Sequence, residues 1–169
     1  VEGKLQVCFL GFDSGSPAPS KSFIDDDGKN FAIVVSGRDP QKNMDWLLSA
    51  FLKYRKQGGI LDLKVVGVLE NEVSNSAVQL NGEFGISFMG YVNHKETLEL
   101  IKRAYLLLFP SLYESFGIPI VEAFRAGTPV LATNAGAALE IGGDAACYFN
   151  SGDVVNFVKK LIEMENDKI

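Results

Sequence analysis

Residues 105–130 read Y-L-L-L-F-P-S-L-Y-E-S-F-G-I-P-I-V-E-A-F-R-A-G-T-P-V. Tyr105 to Phe109 is an unbroken apolar run of strand length. Pro119 to Ala126 has helical character, and Gly127 stops it before another apolar run opens at Pro129. A strand, a helix and a second strand in so short a span join the strands in parallel. Parallel strands are covered on both faces, so they read as continuous rather than alternating apolar runs.

The same alternation extends in both directions. Phe31 to Ser36, Leu61 to Val66, Ile86 to Met89, Tyr105 to Phe109, Pro129 to Ala132 and Ala146 to Phe149 are strand candidates. Between them, Asn43 is placed to cap a helix running to about Gln57, with Leu47, Leu48, Phe51 and Tyr54 on one side and Gly58-Gly59 at its end. Lys95 to Ala104 repeats the device with Leu98 and Ile101, and Asp153 to Glu165 closes the series. The polar stretch Glu70 to Gly85 reads equally as a loop or as a short irregular helix. The pattern predicts an α/β fold: a Rossmann-like parallel sheet of about six strands with helices on both faces. Residues 1–30, rich in Ser, Pro and Asp after Ser14, are expected to be a leading segment and linker, with the binding domain over 31–169.

Composition narrows the function. The 169 residues are 47% hydrophobic and 22% charged, which suits one globular domain with its own core. A net charge of -5 offers no basic footprint for nucleic acid or for an acidic membrane surface. No apolar run approaches the roughly 20 residues of a membrane helix and no secretory leader opens the chain, so a cytoplasmic protein without a transmembrane segment is expected. Cys8 and Cys147 stand in separate strand-like segments without metal or redox spacing, and buried free thiols are expected of both. Val1 in place of Met, and an amphipathic helix still running near Ile169, lead us to expect an excised piece of a longer polypeptide.

Three features resemble sites and are better read otherwise. Gly15 to Ser22 has the length and Lys-Ser ending of a phosphate-binding loop, but Pro17 and Pro19 remove backbone donors and an acidic tract follows instead of a helix. Asp25-Asp26-Asp27 reads as a solvated charge run in a linker rather than a metal motif. His94, the only histidine, lies just before a helix, where capping or plain exposure is expected of it rather than ligand contact.

Two strand-to-helix crossings carry less ordinary chemistry, and both belong to the carboxyl edge of the sheet, where open α/β folds bind ligands. Ser36 to Asn43 contains Gly37 and the cations Arg38 and Lys42. In Phe109 to Ala123, Gly117 permits close backbone approach and Pro119 suits an early helical position. The helix start behind them offers N–H groups and a positive dipole end to an anion such as a diphosphate. Glu114 precedes that helix and Glu122 lies in its early turns; complementing the dipole is the plainer account of both.

Glu114 and Glu122, with seven residues between them, resemble the E-x7-E motif of retaining GT-B glycosyltransferases, in particular family 4. Similarity extends through Pro110 to Gly117, Gly127-Thr128-Pro129-Val130, Gly136 to Glu140, Gly37-Arg38 with Lys42-Asn43, Gly90-Tyr91-Val92, and Leu10-Gly11-Phe12-Asp13. The chain departs from the common pattern in a shorter 38–42 loop and in Leu139, where Pro often stands. The resemblance implies that residues 31–169 are a C-terminal nucleotide-sugar-binding domain, whose N-terminal, acceptor-holding partner domain is absent from this chain. Arg38 and Lys42 would neutralise the donor diphosphate. Glu122 would take the ribose hydroxyls. Glu114, Ser115 and the backbone of Phe116, Gly117 and Ile118 would hold the sugar and distal phosphate, while Tyr91 and Val92 border the base. The resemblance further implies a hexosyl transfer with retention from a nucleoside diphosphate-sugar to a saccharide, lipid-linked or other acceptor, with no cofactor and no metal. The isolated chain is expected to be inactive, and membrane association, if any, would come through the absent domain. A sugar phosphorylase, a nucleotide-sugar epimerase or a non-catalytic nucleotide-binding module would share the architecture; the spacing of the two glutamates speaks against them.

Overall fold

A computed structural model describes residues 31–73 and 83–166. The leading segment, with Cys8, 10–13, 15–22 and 25–27, lies outside the described residues, as do the centre of the 70–85 stretch and the last three residues.

Six strands form one parallel sheet: β1 (Phe31–Val35), β2 (Asp62–Val66), β3 (Ile86–Gly90), β4 (Leu106–Phe109), β5 (Val130–Thr133) and β6 (Cys147–Phe149), in the order β3-β2-β1-β4-β5-β6. Each strand begins or ends within about a residue of its apolar run. Ile33 pairs with Lys64 on one side and Leu107 on the other, and Leu131 joins Leu108 to Cys147. The strand order reverses between β1 and β4, so the connections leaving their carboxyl ends depart in opposite directions and open a crevice between them. Those connections are the two crossings singled out in the sequence.

Helices α1 (Met44–Lys56), α2 (His94–Arg103), α3 (Ile118–Ala126), α4 (Ala137–Gly142) and α5 (Val154–Asn166) cover the sheet. Two apolar cores result. In one, Leu47, Leu48, Phe51 and Tyr54 of α1 and Phe157 and Leu161 of α5 pack with Ala32, Val34, Leu63 and Val65 of the sheet. The other gathers Ile101 of α2, Ile120 and Ala123 of α3 and Ala138 of α4 around Ile33, Leu107 and Ala132. Trp46 stacks on Phe149 at 5.4 Å between ring centres, and Phe157 meets Phe149 edge-on at 5.1 Å, which fastens α1, α5 and β6 together.

The structure corrects three readings. Asn43 does stand at the N-cap of α1, but in the left-handed region (φ 57°), and its side chain caps nothing there. Its amide donates instead to the Pro110 carbonyl at 3.3 Å, across the crevice. Cys147 is an exposed free thiol rather than a buried one, because β6 is short and lies at the sheet's edge, where only Phe149 of the strand is fully covered. Helix α4 went unforeseen: six residues between Gly136 and Gly143, without a capping side chain, leave no periodic signature. The described ends of the ambiguous stretch are single 3-10 turns at Glu70–Glu72 and Glu83–Gly85.

Candidate active site

The crevice between β1 and β4 is walled by two loops that are bonded to each other. The first, 36–43, leaves β1 and tightens into a 3-10 turn at Pro40–Lys42 before α1. The second, 110–117, leaves β4 and ends at Gly117, whose φ of 90° is the left-handed conformation that glycine adopts without strain. The Leu112 N–H donates to the Gln41 carbonyl at 2.8 Å, the Asn43 amide reaches Pro110, and Lys42 Nζ sits 2.6 Å from Glu114 Oε1. Behind them the buried Thr133 hydroxyl donates to the Ser111 carbonyl at 2.6 Å and ties β5 to the same frame.

Lys42 and Glu114 are sheltered, with side chains 23% and 16% exposed. Arg38 belongs to the same loop, but its guanidinium stands 65% exposed and pairs with Glu72, of the turn after β2, at 3.3 Å. The two cations expected to share one anion site thus have partners on different elements. A cavity of about 180 Å³, bordered by Gly37, Arg38, Asn43, Met44, Val68 and Glu72, lies on the Arg38 side of the loop.

Glu122 projects from the second turn of α3 and is buried. Desolvation pushes its carboxyl above the usual carboxylate range, and the nearby His94 imidazole pulls the other way. His94 Nδ1 lies 3.6 Å from Glu122 Oε1, too long for a hydrogen bond and close enough for an electrostatic contact. Exposure was foreseen for His94; the cap of α2 is Asn93, whose side chain accepts the Glu96 N–H at 3.0 Å. Its proximity to Glu122 was not foreseen, because nothing in the sequence links position 94 to a helix beyond the next strand.

At the start of α3, the Ile118 N–H is the first of the helix and has no intrahelical partner, and Pro119 contributes none. Gly117 is buried and Ser115 exposed. Tyr91, 69% exposed, stands at the rim beside the half-buried Val92, and Leu112, Tyr113, Ile118 and Leu139 are further large apolar side chains exposed along this edge. A larger cavity, about 500 Å³, runs along the outer side of α2 past Met89, Lys95, Glu99 and Arg103. It shares Val92 with the rim but contains neither Glu114, Glu122 nor Lys42, so size alone does not mark the chemistry here. Among the described residues, no helix is long and apolar enough to cross a membrane.

This arrangement, two carboxylates and a sheltered ammonium around a helix start at the switch point of a parallel sheet, suits an anionic ligand that also carries hydroxyls. The chain is 31% identical over 150 residues to the MMP alpha-(1->4)-mannosyltransferase of Mycolicibacterium hassiacum, covering 85% of this chain and 35% of that protein. It is 30% identical over 131 residues to O-antigen chain mannosyltransferase B of Escherichia coli, covering 75% and 34% respectively. It therefore spans about a third of the length of these relatives. Among solved structures, the C-terminal domain of the glycosyl transferase group 1 family protein LpcC from Francisella tularensis superposes with a TM-score of 0.71 at 21% identity, over 93% of this chain and 89% of that one. That likeness is one of fold, the Rossmann-like half of a GT-B architecture. The family model for glycosyl transferases group 1 matches residues 18–169, and the chain belongs to that family.

Proposed function

We propose that this chain is the donor-binding domain of a retaining, family 4 glycosyltransferase, holding a nucleoside diphosphate-sugar in the crevice between β1 and β4. The observation that carries the reading is that Lys42, from the loop after β1, meets Glu114, from the loop that leads out of β4 into α3, at 2.6 Å in a sheltered place at the carboxyl edge of the sheet. Lys42 would neutralise the diphosphate, with Arg38, held by Glu72, adding a weaker attraction from farther off. The backbone of Phe116, Gly117 and Ile118 would meet the distal phosphate, with Ser115 at the sugar's edge. Glu122 would accept from the ribose hydroxyls, and Tyr91 and Val92 would flank the base. The names of the relatives make a mannosyl unit the first to test.

In the transfer, the bond between the anomeric carbon and the distal phosphate oxygen breaks with its electron pair left on that oxygen. The acceptor oxygen bonds the same carbon, and its proton passes to the departing phosphate. Charge therefore grows on the diphosphate, where one or two cations and a helix N-terminus stabilise it without a metal. The acceptor and the exclusion of water would depend on a second domain facing this edge, so the chain by itself should bind donor without transferring it. Calorimetric titration of the chain with GDP, UDP and their mannose and glucose derivatives, with and without a chelator, tests this. Binding that survives chelation and is lost in Lys42→Ala is expected; binding that requires a divalent cation, or transfer by the purified chain alone, counts against the reading.

A further inference from the structure

Lys42 and Glu114 are assigned to different parts of the donor, the phosphates and the sugar, yet their side chains meet at 2.6 Å in a sheltered place. An ammonium has three donor hydrogens but one charge, and a carboxylate at that distance neutralises most of it. The cross-loop bonds from Leu112 to Gln41 and from Asn43 to Pro110 hold the two loops together, so Glu114 stays within reach of Lys42 when an anion arrives. A diphosphate drawn to Lys42 therefore meets a carboxylate at the same point, and the contact is repulsive unless something satisfies that carboxylate.

The glycosyl unit of a donor does so, since its hydroxyls donate to Glu114. We propose that Glu114 and the diphosphate compete for Lys42, the sugar of an intact donor relieving the competition and its departure restoring it, so that the site retains donor and releases free nucleoside diphosphate. The inference rests on the donor-site reading above and adds to it a discrimination between substrate and product. Lys42 and Glu114 pair with each other in the structure. With donor bound, the sugar takes Glu114 and Lys42 turns to the phosphate. After transfer, Glu114 has lost its donors, Lys42 is the cation beside it, and the diphosphate is left with a weakened anchor.

The test is a double-substitution cycle on the full-length protein, titrated with free GDP and UDP and with GDP-mannose and UDP-glucose. Glu114→Gln keeps shape and removes charge, and should tighten free diphosphate several-fold to about tenfold, the scale of a partly sheltered ion pair. It should leave intact donor unimproved, and the tightening should vanish in a Lys42→Met background. If the pair is only a fastener between loops, Glu114→Gln will leave diphosphate affinity unchanged or weaken it, and either result overturns the competition. Tightening that persists in Lys42→Met overturns it as well, since the effect would not run through Lys42. Failure of the donor-site reading looks different: a folded, unmodified protein that binds none of the four ligands removes that reading and this inference together.

Discussion

The two edges of the one sheet treat the same kind of group in opposite ways. At the amino edge, Glu165 near the end of α5 is desolvated, and burial pushes its carboxyl up, as at Glu122. But Glu165 is engaged: it accepts from the Tyr54 hydroxyl and from the Ile60 N–H at 3.3 Å, while Tyr54 in turn accepts the Leu61 N–H at 2.9 Å. Tyr105 donates to the Met164 carbonyl beside it at 3.0 Å. That edge closes the fold by satisfying its polar groups with backbone and phenol. At the carboxyl edge, Glu122 is the more deeply buried of the two and yet, among the described residues, has only a histidine at 3.6 Å. A buried carboxylate left without hydrogen-bond donors costs stability unless a ligand supplies them. The supply of hydrogen-bond donors distinguishes Glu165 from Glu122 where pKa direction does not.

The largest effect expected from breaking this contrast is at Lys42. Lys42→Ala should weaken nucleoside diphosphate binding by about 1.5–3 kcal/mol, the range for hydrogen bonds to charged groups, with nucleoside binding barely altered. Its counterpart at the amino edge is Glu165→Ala, which should cost about 1 kcal/mol of stability, chiefly by taking the acceptor from the buried Tyr54 hydroxyl, and leave ligand affinity intact. A denaturant titration beside calorimetry distinguishes the two; loss of ligand affinity in Glu165→Ala would collapse the distinction between the edges.

Glu122→Gln should move stability the other way. Because folding raises the Glu122 pKa, the protonated form is the one favoured by folding. The stability this group contributes is complete below the unfolded carboxylate's titration and is lost as pH rises through the raised folded value. The glutamine variant should match the parent in acid and be the more stable protein, by up to about 1 kcal/mol, above that window, while binding ribonucleotides less well. Melting curves from acid to neutral pH check the sign, and a variant less stable at neutral pH would mean that the carboxylate is satisfied after all. Smallest is Arg38→Ala. With its guanidinium 65% exposed and held by Glu72, its loss should cost under about 1 kcal/mol of diphosphate affinity. An effect equal to that of Lys42→Ala would show that Arg38 leaves Glu72 and joins the anion site on binding.

Strands and long helices were legible because their signals are local: continuous apolar runs, and Gly127 or Gly58-Gly59 where helices end. So was the pairing of the β1 and β4 crossings, since a parallel sheet carries both to the same edge. What the sequence could not disclose was who pairs with whom at that edge. Lys42 meets Glu114 across 72 positions, and His94 approaches Glu122 from another helix. Asn43 carries the composition of a cap, and its amide was claimed by a carbonyl from the neighbouring loop. Cys147 reads as a core thiol within an apolar run until the sheet is seen to end there.

The bond from the Leu112 N–H to the Gln41 carbonyl has a kinetic consequence. A loop amide on a site rim ordinarily exchanges its hydrogen quickly, because such loops open on their own. Here neither loop opens without the other, and the Thr133 hydroxyl holds Ser111 to the sheet. Leu112 should therefore exchange with the slow strand amides rather than with its exposed neighbours. Slow exchange at Leu112 would mark the two walling loops as one cooperative unit with the sheet, and fast exchange there would mark them as independent.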